Sequence, residues 1–318
     1  MDAPRPTRGA PRPELEALLQ SVRRELTRRE DAPSGTWVEE TAQELAVGSR
    51  PGWFLRPEPA GGLAFGSRRG RELYGHVHVD AGPASVERAV ALANALLEEV
   101  VPTTESANLG FTGLSLPDER TVVDRLAARP GSTTIARRSM ERELTARDGG
   151  PAPALPSGLR LVPVREVTLE ALSDLDRRSF AGSIDALLVG SAADGNREAL
   201  RAMLDGRLGR FVDEASVALV GGEPLRLVAA VLTTEQSIRR AILVDLMVDP
   251  ADRRRGVGRF VMTWVLRALR GLGYDSVRLW VTESNVPALG LYDAFGFRTI
   301  GGATIYRWDR PASAPQPH

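Results

Sequence analysis

The spacing of apolar positions predicts a similar order of strands and helices in the two halves of the chain. Apolar residues recur at helical spacing over 85–100, whereas 71–79 alternates as a half-buried strand does. In the first half we predict helices over 15–26, 38–45, 85–100 and 117–128, and strands over 53–55, 63–65, 71–79, 108–114 and 133–144. In the second half we predict strands over 159–163, 216–220, 225–233, 242–248, 276–281 and 298–308, and helices over 169–180, 197–208, 260–270 and 287–295. This mixture favours an α/β protein.

Segments rich in proline and glycine separate these elements into two domains. Residues 147–158 carry several Pro and Gly residues, which favours a linker. Residues 1–12 and 309–318 have little apolar content, and we expect both to be disordered. The predicted domains are therefore residues 13–146 and residues 159–308, in line with a length of 318 residues.

Composition narrows the range of partners. Basic and acidic residues balance at 41 each, so no bulk charge favours nucleic acid or an anionic membrane. The chain has no Cys, which excludes disulfides, thiolate metal sites and a Cys nucleophile. The N-terminus lacks the apolar core of a signal peptide, and no apolar run approaches the roughly 18 residues of a membrane helix. We expect a cytoplasmic protein, either a monomer or a homodimer.

One stretch of the second half has the order of an anion-binding site. The apolar run 242–248 is stopped by Asp249 and Pro250, an Arg/Gly turn follows over 253–259, and a helical pattern then begins. Backbone N–H groups at the start of a helix lack intrahelical partners, and the helix dipole adds positive potential there. The glycines of the turn allow a ligand to approach the backbone closely.

A second signature lies further along, with Asn285 and Tyr292 followed by Phe-Gly-Phe at 295–297. Together the two signatures resemble the GNAT family of N-acetyltransferases over residues 159–308. The resemblance implies acetyl-CoA as co-substrate, an amine as acceptor, and no metal. With the repeated order of elements, it also implies two GNAT-like domains in tandem, each a mixed, mostly antiparallel sheet flanked by helices.

The resemblance assigns roles to individual residues. Backbone groups of Leu246, Met247 and Val248 would pair with the pantetheine arm, the N–H near Leu246 facing the thioester oxygen. Asn285 would contact the coenzyme, and Tyr292 would protonate the leaving thiolate. The coenzyme pyrophosphate would lie on the turn formed by Arg253, Arg254, Arg255, Gly256, Val257, Gly258 and Arg259.

The general base is less clear from the sequence. Many relatives place Glu at positions that match Val244 or Trp280, and this chain has no carboxylate at either. Asp245 is the leading candidate, because it is adjacent to the first of these positions. Glu235 and Glu283 are weaker candidates, and Asp245 could also be a structural polar residue.

The first half keeps the order of elements without the coenzyme motif. When residues 74–89 are placed over 243–258 without a gap, Ala84 falls on Arg253 and Glu87 on Gly256. We therefore expect a degenerate GNAT-like domain that does not bind acetyl-CoA. His76 and His78 point to one face of a strand, but no third metal ligand accompanies them, which favours ordinary strand residues.

These features together predict transfer of an acetyl or other short acyl group from CoA to a primary amine of a small molecule. The tandem layout also resembles that of mycothiol synthases, and a protein N-terminal amine is a further possible acceptor. A non-catalytic acyl-CoA sensor or interaction protein is the alternative from another class, since the usual carboxylates are absent.

Overall fold

The computed structural model describes residues 3–28, 37–56, 60–189, 193–207, 209–222 and 226–311. By its contacts the chain forms two compact units. The first unit contains Met1–Ala136 and Ala303–His318, and the second contains Arg137–Gly302. Each unit has its own buried apolar cores.

The chain begins with a short strand and a pair of helices and continues into a βαβ unit. These elements are β1 (Arg5–Pro6), α1 (Arg12–Arg28), α2 (Trp37–Val47), β2 (Gly52–Leu55), β3 (Gly62–Arg69), β4 (Glu72–Val79), α3 (Ser85–Val100), β5 (Ser106–Thr112) and α4 (Leu116–Leu126). Strand β6 (Ser132–Glu143) follows. The later elements are β7 (Leu159–Pro163), α5 (Leu169–Phe180), α6 (Ala186–Val189), α7 (Ala193–Leu204), β8 (Arg210–Phe211), β9 (Val217–Gly221), β10 (Arg226–Ser237), β11 (Arg240–Val248), α8 (Val257–Gly271), β12 (Ser276–Thr282), α9 (Val286–Ala294) and β13 (Arg298–Asp309).

The first unit has a mixed sheet in the order β1, β2, β3, β4, β5, with residues of β13 beyond β5. All of these pairs are antiparallel except β4 with β5, which α3 connects as a crossover helix. Apolar residues of α3 and α4 cover one face of the sheet, and those of α1 and α2 cover the other.

The second unit has the same plan, with the order β6, β12, β11, β10, β9, β7, and β8 beside β10. Here β11 and β12 are the parallel pair, joined by α8. Residues of α8 and α9 cover one face, and residues of α5 and α7 cover the other. The prediction of mixed, mostly antiparallel sheets flanked by helices is confirmed.

Each unit contains one strand pairing with a segment from the opposite half of the sequence. Residues 137–143 of β6 pair antiparallel with β12 of the second unit. Residues 306–309 of β13 pair with β5 of the first unit. The chain therefore passes from one unit to the other after Ala136 and after Gly302, and the proline-rich stretch 147–158 belongs to the second unit. The role of 147–158 as a linker stays a prediction.

The N-terminal segment differs from the expected disorder over 1–12. Arg5 and Pro6 pair with Trp53 and Phe54, and Thr7 is buried with its backbone N–H donated to Gly52. Backbone pairing with an edge strand orders this segment despite its composition. The expected C-terminal disorder concerns mostly residues 312–318, which lie outside the described part. None of the described helices has the length and apolar character required to cross a membrane.

Candidate active site

The turn before α8 places several backbone N–H groups at the start of the helix. Arg254 and Gly256 both have left-handed backbone angles, with φ of 61° and 81°. Gly256 is the N-cap residue, and the first intrahelical bond is donated by the N–H of Phe260. The N–H groups of residues 257–259 therefore remain for an anion, with the positive end of the helix dipole behind them. A side chain larger than hydrogen at Gly256 would be strained at this φ.

Two of the predicted arginines brace this turn. Arg253 donates from Nε to the carbonyl of Val248 at 3.3 Å and from Nη2 to the carbonyl of Ser179. Arg255 donates from Nη1 to Oδ1 of the buried Asp252 at 2.6 Å. Their guanidinium groups fix the conformation of the turn.

The other two arginines of the turn are exposed and project outward. Arg254 makes no ion pair within the described residues, and the Arg259 guanidinium lies 5.8 Å from the centre of the Phe295 ring. These two are the arginines available to a negatively charged ligand.

Strand β11 loses one of its neighbours just before the turn. Its parallel pairing with β12 ends at Leu243 and Leu279, although β12 continues to Thr282. The antiparallel pairing with β10 continues to Val248. Residues 246–248 thus keep one strand partner, and their other edge has none in the described part of the chain. An unpaired edge of this kind can pair with an extended ligand.

A β-bulge at Val244 decides where Asp245 points. Strand β10 pairs Thr233 with Leu243 and Leu232 with Asp245, so Val244 is the extra residue. Before the bulge, Leu243 packs in the α8 core, and after it Met247 packs in the α5 core. The bulge reverses the alternation, and Asp245 therefore lies on the α5 side of the sheet.

On that side Asp245 meets a second carboxyl, that of Asp176 from α5. Asp176 is 2% exposed and accepts a hydrogen bond from Nδ2 of Asn196. The hydroxyl of Ser173 donates to Oδ1 of Asn196 at 2.6 Å, which fixes the orientation of the amide. Asp176 and Asp245 share a hydrogen bond with each other. Such a bond between two carboxyl groups requires a proton on one of them.

The pKa values of both carboxyls reflect this arrangement. Burial raises the pKa of Asp176 to about 6, although Asn196 opposes the shift. Burial, the negative charge of Asp176 and that of Asp185 raise the pKa of Asp245 well above its ordinary value, and the backbone N–H of Leu246 partly opposes this. Like charges in a poorly solvated site favour retention of one proton by the pair.

Asn285 has a structural role that the sequence did not reveal. Its Oδ1 accepts from the N–H of Ala288 at 3.2 Å and so caps α9. Its Nδ2 donates to Oδ2 of Asp185 at 2.8 Å, and Thr282 donates its hydroxyl to Oδ1 of the same carboxylate. Asn285 therefore joins α9 to the segment before α6.

Tyr292 lies on α9 with 7% of its surface exposed, and its ring centre is 5.8 Å from that of Phe297. Burial raises the pKa of its phenol, and the charges of Asp245 and Asp185 raise it further. The phenol stays protonated at neutral pH, as a proton donor must.

Arg137 supplies the positive charge of this cluster. It begins the paired part of β6, opposite Thr282, and donates from Nη2 to the carbonyl of Trp280 at 3.1 Å. Burial lowers its pKa, while the charges of Asp185, Tyr292 and Asp245 oppose that shift. Sequence reasoning placed the stretch 133–144 in the first domain and gave Arg137 no role.

The weaker candidates for a general base have other partners. Glu235 accepts from the Tyr274 hydroxyl at 2.7 Å and pairs with Arg210, and these bonds lower its pKa. Glu283 pairs with Arg138 at 3.4 Å. No group of three potential metal ligands is found among the described residues. The structure thus brings Asp245, Tyr292 and Asn285 together around Asp185 and Arg137.

Comparison with known proteins agrees with this geometry. Residues 172–297 match the sequence profile of the Acetyltransferase (GNAT) family. This segment belongs to the GNAT family. A mycothiol acetyltransferase from Thermobispora bispora is 34% identical over 189 residues, which cover 58% of this chain and 61% of that protein. The aligned part of the chain thus spans less than two thirds of that relative.

Two solved structures cover nearly the whole chain. A GCN5-related N-acetyltransferase from Sphaerobacter thermophilus has a TM-score of 0.63 at 17% identity, covering 96% of this chain and 95% of that one. A tandem GNAT protein from the clavulanic acid biosynthesis pathway has a TM-score of 0.57 at 14% identity, covering 98% and 99%. At these identities the likeness concerns the fold alone, and it confirms the prediction of a tandem GNAT architecture.

Proposed function

We propose that the second unit is an acyl-CoA-dependent N-acyltransferase that acetylates the primary amine of a small molecule. The observation that carries this proposal is the free edge of residues 246–248, directly followed by the N–H groups at the start of α8. The free edge suits the amide groups of a pantetheine arm, and the helix start suits a pyrophosphate. No metal is needed to hold such an anion.

The residues of the cluster suit direct transfer to an amine. The acceptor ammonium first gives one proton to the Asp245 side of the cluster. The neutral nitrogen attacks the thioester carbon, so that a C–N bond forms and the C–S bond breaks. Tyr292 gives its phenol proton to the leaving sulfur and regains one from the nitrogen. The N–H of Leu246 is the candidate donor to the developing oxyanion, a contribution of roughly 3–4 kcal/mol.

The acceptor is inferred from sequence similarity rather than from the geometry of the coenzyme turn. The length of the match to a mycothiol acetyltransferase, 189 residues at 34% identity, favours a related acceptor over a protein N-terminal amine. The coenzyme turn and the free strand edge carry no information about the acceptor, since they face the donor. A non-catalytic acyl-CoA sensor has less support, because Tyr292 and Asp245 lie in one cluster with altered pKa values.

Calorimetric titration with acetyl-CoA, followed by an assay of CoA-thiol release with a panel of amines, tests the proposal. We expect one coenzyme site per chain and turnover with at least one amine, the cysteinyl amine of the mycothiol precursor among them. Tight binding without thiol release across the panel would instead establish a sensor. Two sites per chain would contradict a degenerate first unit.

A further inference from the structure

The carboxyl of Asp176 has no role in the function proposed above, and its surroundings suggest one. Its Oδ2 accepts from Asn196, while its Oδ1 is buried and has no N–H or protein hydroxyl donor among the described residues. Leaving a buried charged oxygen without a donor is unfavourable. The proton that Asp176 shares with Asp245 removes this penalty.

Asp176 cannot reach an acceptor itself, because it is 2% exposed beneath the sheet. Asp245 is half-buried and directly precedes the free edge of β11 at residues 246–248. The bulge at Val244 places it on the side of Asp176, since without the bulge Asp245 would lie on the α8 side.

We propose that Asp176 and Asp245 form a carboxyl pair with one shared proton, in which Asp245 takes the proton of the acceptor ammonium as the shared proton passes to Asp176, and Asp176 positions Asp245 from behind. This inference rests on the proposed acyl transfer. When the proton arrives from the nitrogen, the pair passes from one bound proton to two, and it then releases one to water. No other reactant is required, and the charge of the pair changes from −1 to zero.

The other charged groups around the pair keep the pH of its second proton uptake close to neutral. Asp185, which precedes α6, adds a negative charge, and Arg137 from β6 adds a positive one near the Tyr292 phenol of α9. Uptake of the second proton near pH 6 would leave the pair ready to accept a proton above that pH. Activity should therefore fall as the pH drops through about 6.

The first test needs no turnover. Difference infrared spectroscopy near neutral pH should show the carbonyl stretch of a protonated carboxylic acid in the wild-type protein. Asp176→Asn and Asp245→Asn should each remove the signal. Asp174→Asn should keep it, since Asp174 is an exposed residue of the same helix that pairs with Arg177. A wild-type spectrum without this band would overturn the pair, whether or not the protein is an acyltransferase.

The second test is the pH profile of kcat. In Asp176→Asn the acidic limb should leave its position near pH 6, because the carboxyl that titrates there is gone and Asp245 alone remains, and kcat at the plateau should fall roughly tenfold. In Asn196→Ala the limb should move to higher pH, because Asp176 loses a hydrogen bond that favours its charged form. The KM for acetyl-CoA should not change in either variant.

A displaced acidic limb in both variants is not expected from simple loss of folding, and limbs that coincide with the wild type would overturn the tuning role. If the infrared band is present and no amine supports turnover, the carboxyl pair stands and the proposed acyl transfer fails.

Discussion

Each of the two units contains a βαβ motif, β4–α3–β5 in the first and β11–α8–β12 in the second. The two motifs share one topology and differ at the ends of their parallel strands. In the first, the strands pair from Glu72 and Ser106 as far as His78 and Thr112. In the second, pairing ends at Leu243 and Leu279. A ligand can add to a strand edge only where no other strand occupies it. The second unit therefore has a free strand edge at this place, and the first unit does not.

Side chains of the first unit join its two parallel strands at the end where the parallel strands of the second unit are unpaired. His76 and His78 both hydrogen bond to the hydroxyl of Thr112, at 2.7 and 2.9 Å, across β4 and β5. Just beyond, a Cβ on Gly113 would lie 1.8 Å from the carbonyl oxygen of Val79. The two histidines thus reinforce strand pairing, in keeping with the prediction of ordinary strand residues.

The turns before α3 and α8 differ in length and in what fills them. The N-cap residue Ala84 comes five residues after Val79, the end of β4. The N-cap residue Gly256 comes eight residues after Val248, the end of β11. The gap-free comparison that placed Ala84 on Arg253 was therefore wrong, since the two N-cap residues correspond. In the first unit the guanidinium of Arg88 binds the carbonyls of Asp80 and Pro83, so the short turn is closed by its own side chain.

The largest expected effect concerns the position seven residues after the N-cap of the last helix in each unit. This position is Tyr292 in α9 and Val122 in α4. Tyr292→Phe should lower kcat about 100-fold, because the proton donor is lost while the ring packing remains. Affinity for acetyl-CoA, measured by calorimetry, should not change. As a control, Val122→Ala should lower thermal stability and leave kcat intact; unchanged kcat in Tyr292→Phe would remove the phenol from the mechanism.

A smaller effect is expected at the N-cap of α8. Gly256→Val places a branched side chain at φ of 81° and should strain the turn by roughly 1–2 kcal/mol. The Kd of acetyl-CoA should rise about tenfold as the N–H groups move out of position. Gly271→Ala, at the other end of the same helix, has open space and no positive φ and should bind normally. Equal Kd values for both variants would argue against a ligand at the helix start.

In the first unit, Thr112→Val should remove the hydroxyl that His76 and His78 share. The isosteric change removes the hydrogen-bond partner of the buried His78 Nδ1 and should lower the free energy of unfolding by about 1–3 kcal/mol. Acetyl-CoA affinity and kcat should stay at wild-type values, since this unit provides no slot. Thr121→Val, on the exposed face of α4, is the matched control for denaturant unfolding. A weakened coenzyme affinity in Thr112→Val would contradict the contrast between the units.

The smallest effect is expected at Ala84, which has φ of 56° at the N-cap of α3. Ala84→Gly should relieve left-handed strain and raise stability by roughly 1 kcal/mol. The second unit already has a glycine, Gly256, at the corresponding N-cap position. Thermal unfolding measures the gain, and a fall in the melting temperature would show that Ala84 is not strained.

The sequence predicts the elements of this fold well because each carries a local pattern, and the coenzyme turn because its residues are contiguous. The polar cluster was harder, since its members come from β6, α5, the segment before α6, β11 and α9. Asp176 did leave a signal, because it lies on the buried stripe of α5 with Leu172 and Leu175. The bulge at Val244 left none, as the run 242–248 is almost uniformly apolar. Arg137 left no signal either, because its pairing with Thr282 of β12 joins residues far apart in the sequence.

Because β6 pairs with β12 and β13 pairs with β5, neither half of the sequence can be removed without loss of a strand from the sheet of the other. A protein truncated to begin at residue 159 would lack β6, and with it both the partner of β12 and the cation of the polar cluster. A fragment that ends at residue 146 would keep β6 without β12 and lose the strand that covers β5. Each fragment would expose a bare sheet edge and tend to aggregate. Deletion of the first half of the sequence would thus remove both a sheet strand and Arg137 from the second unit.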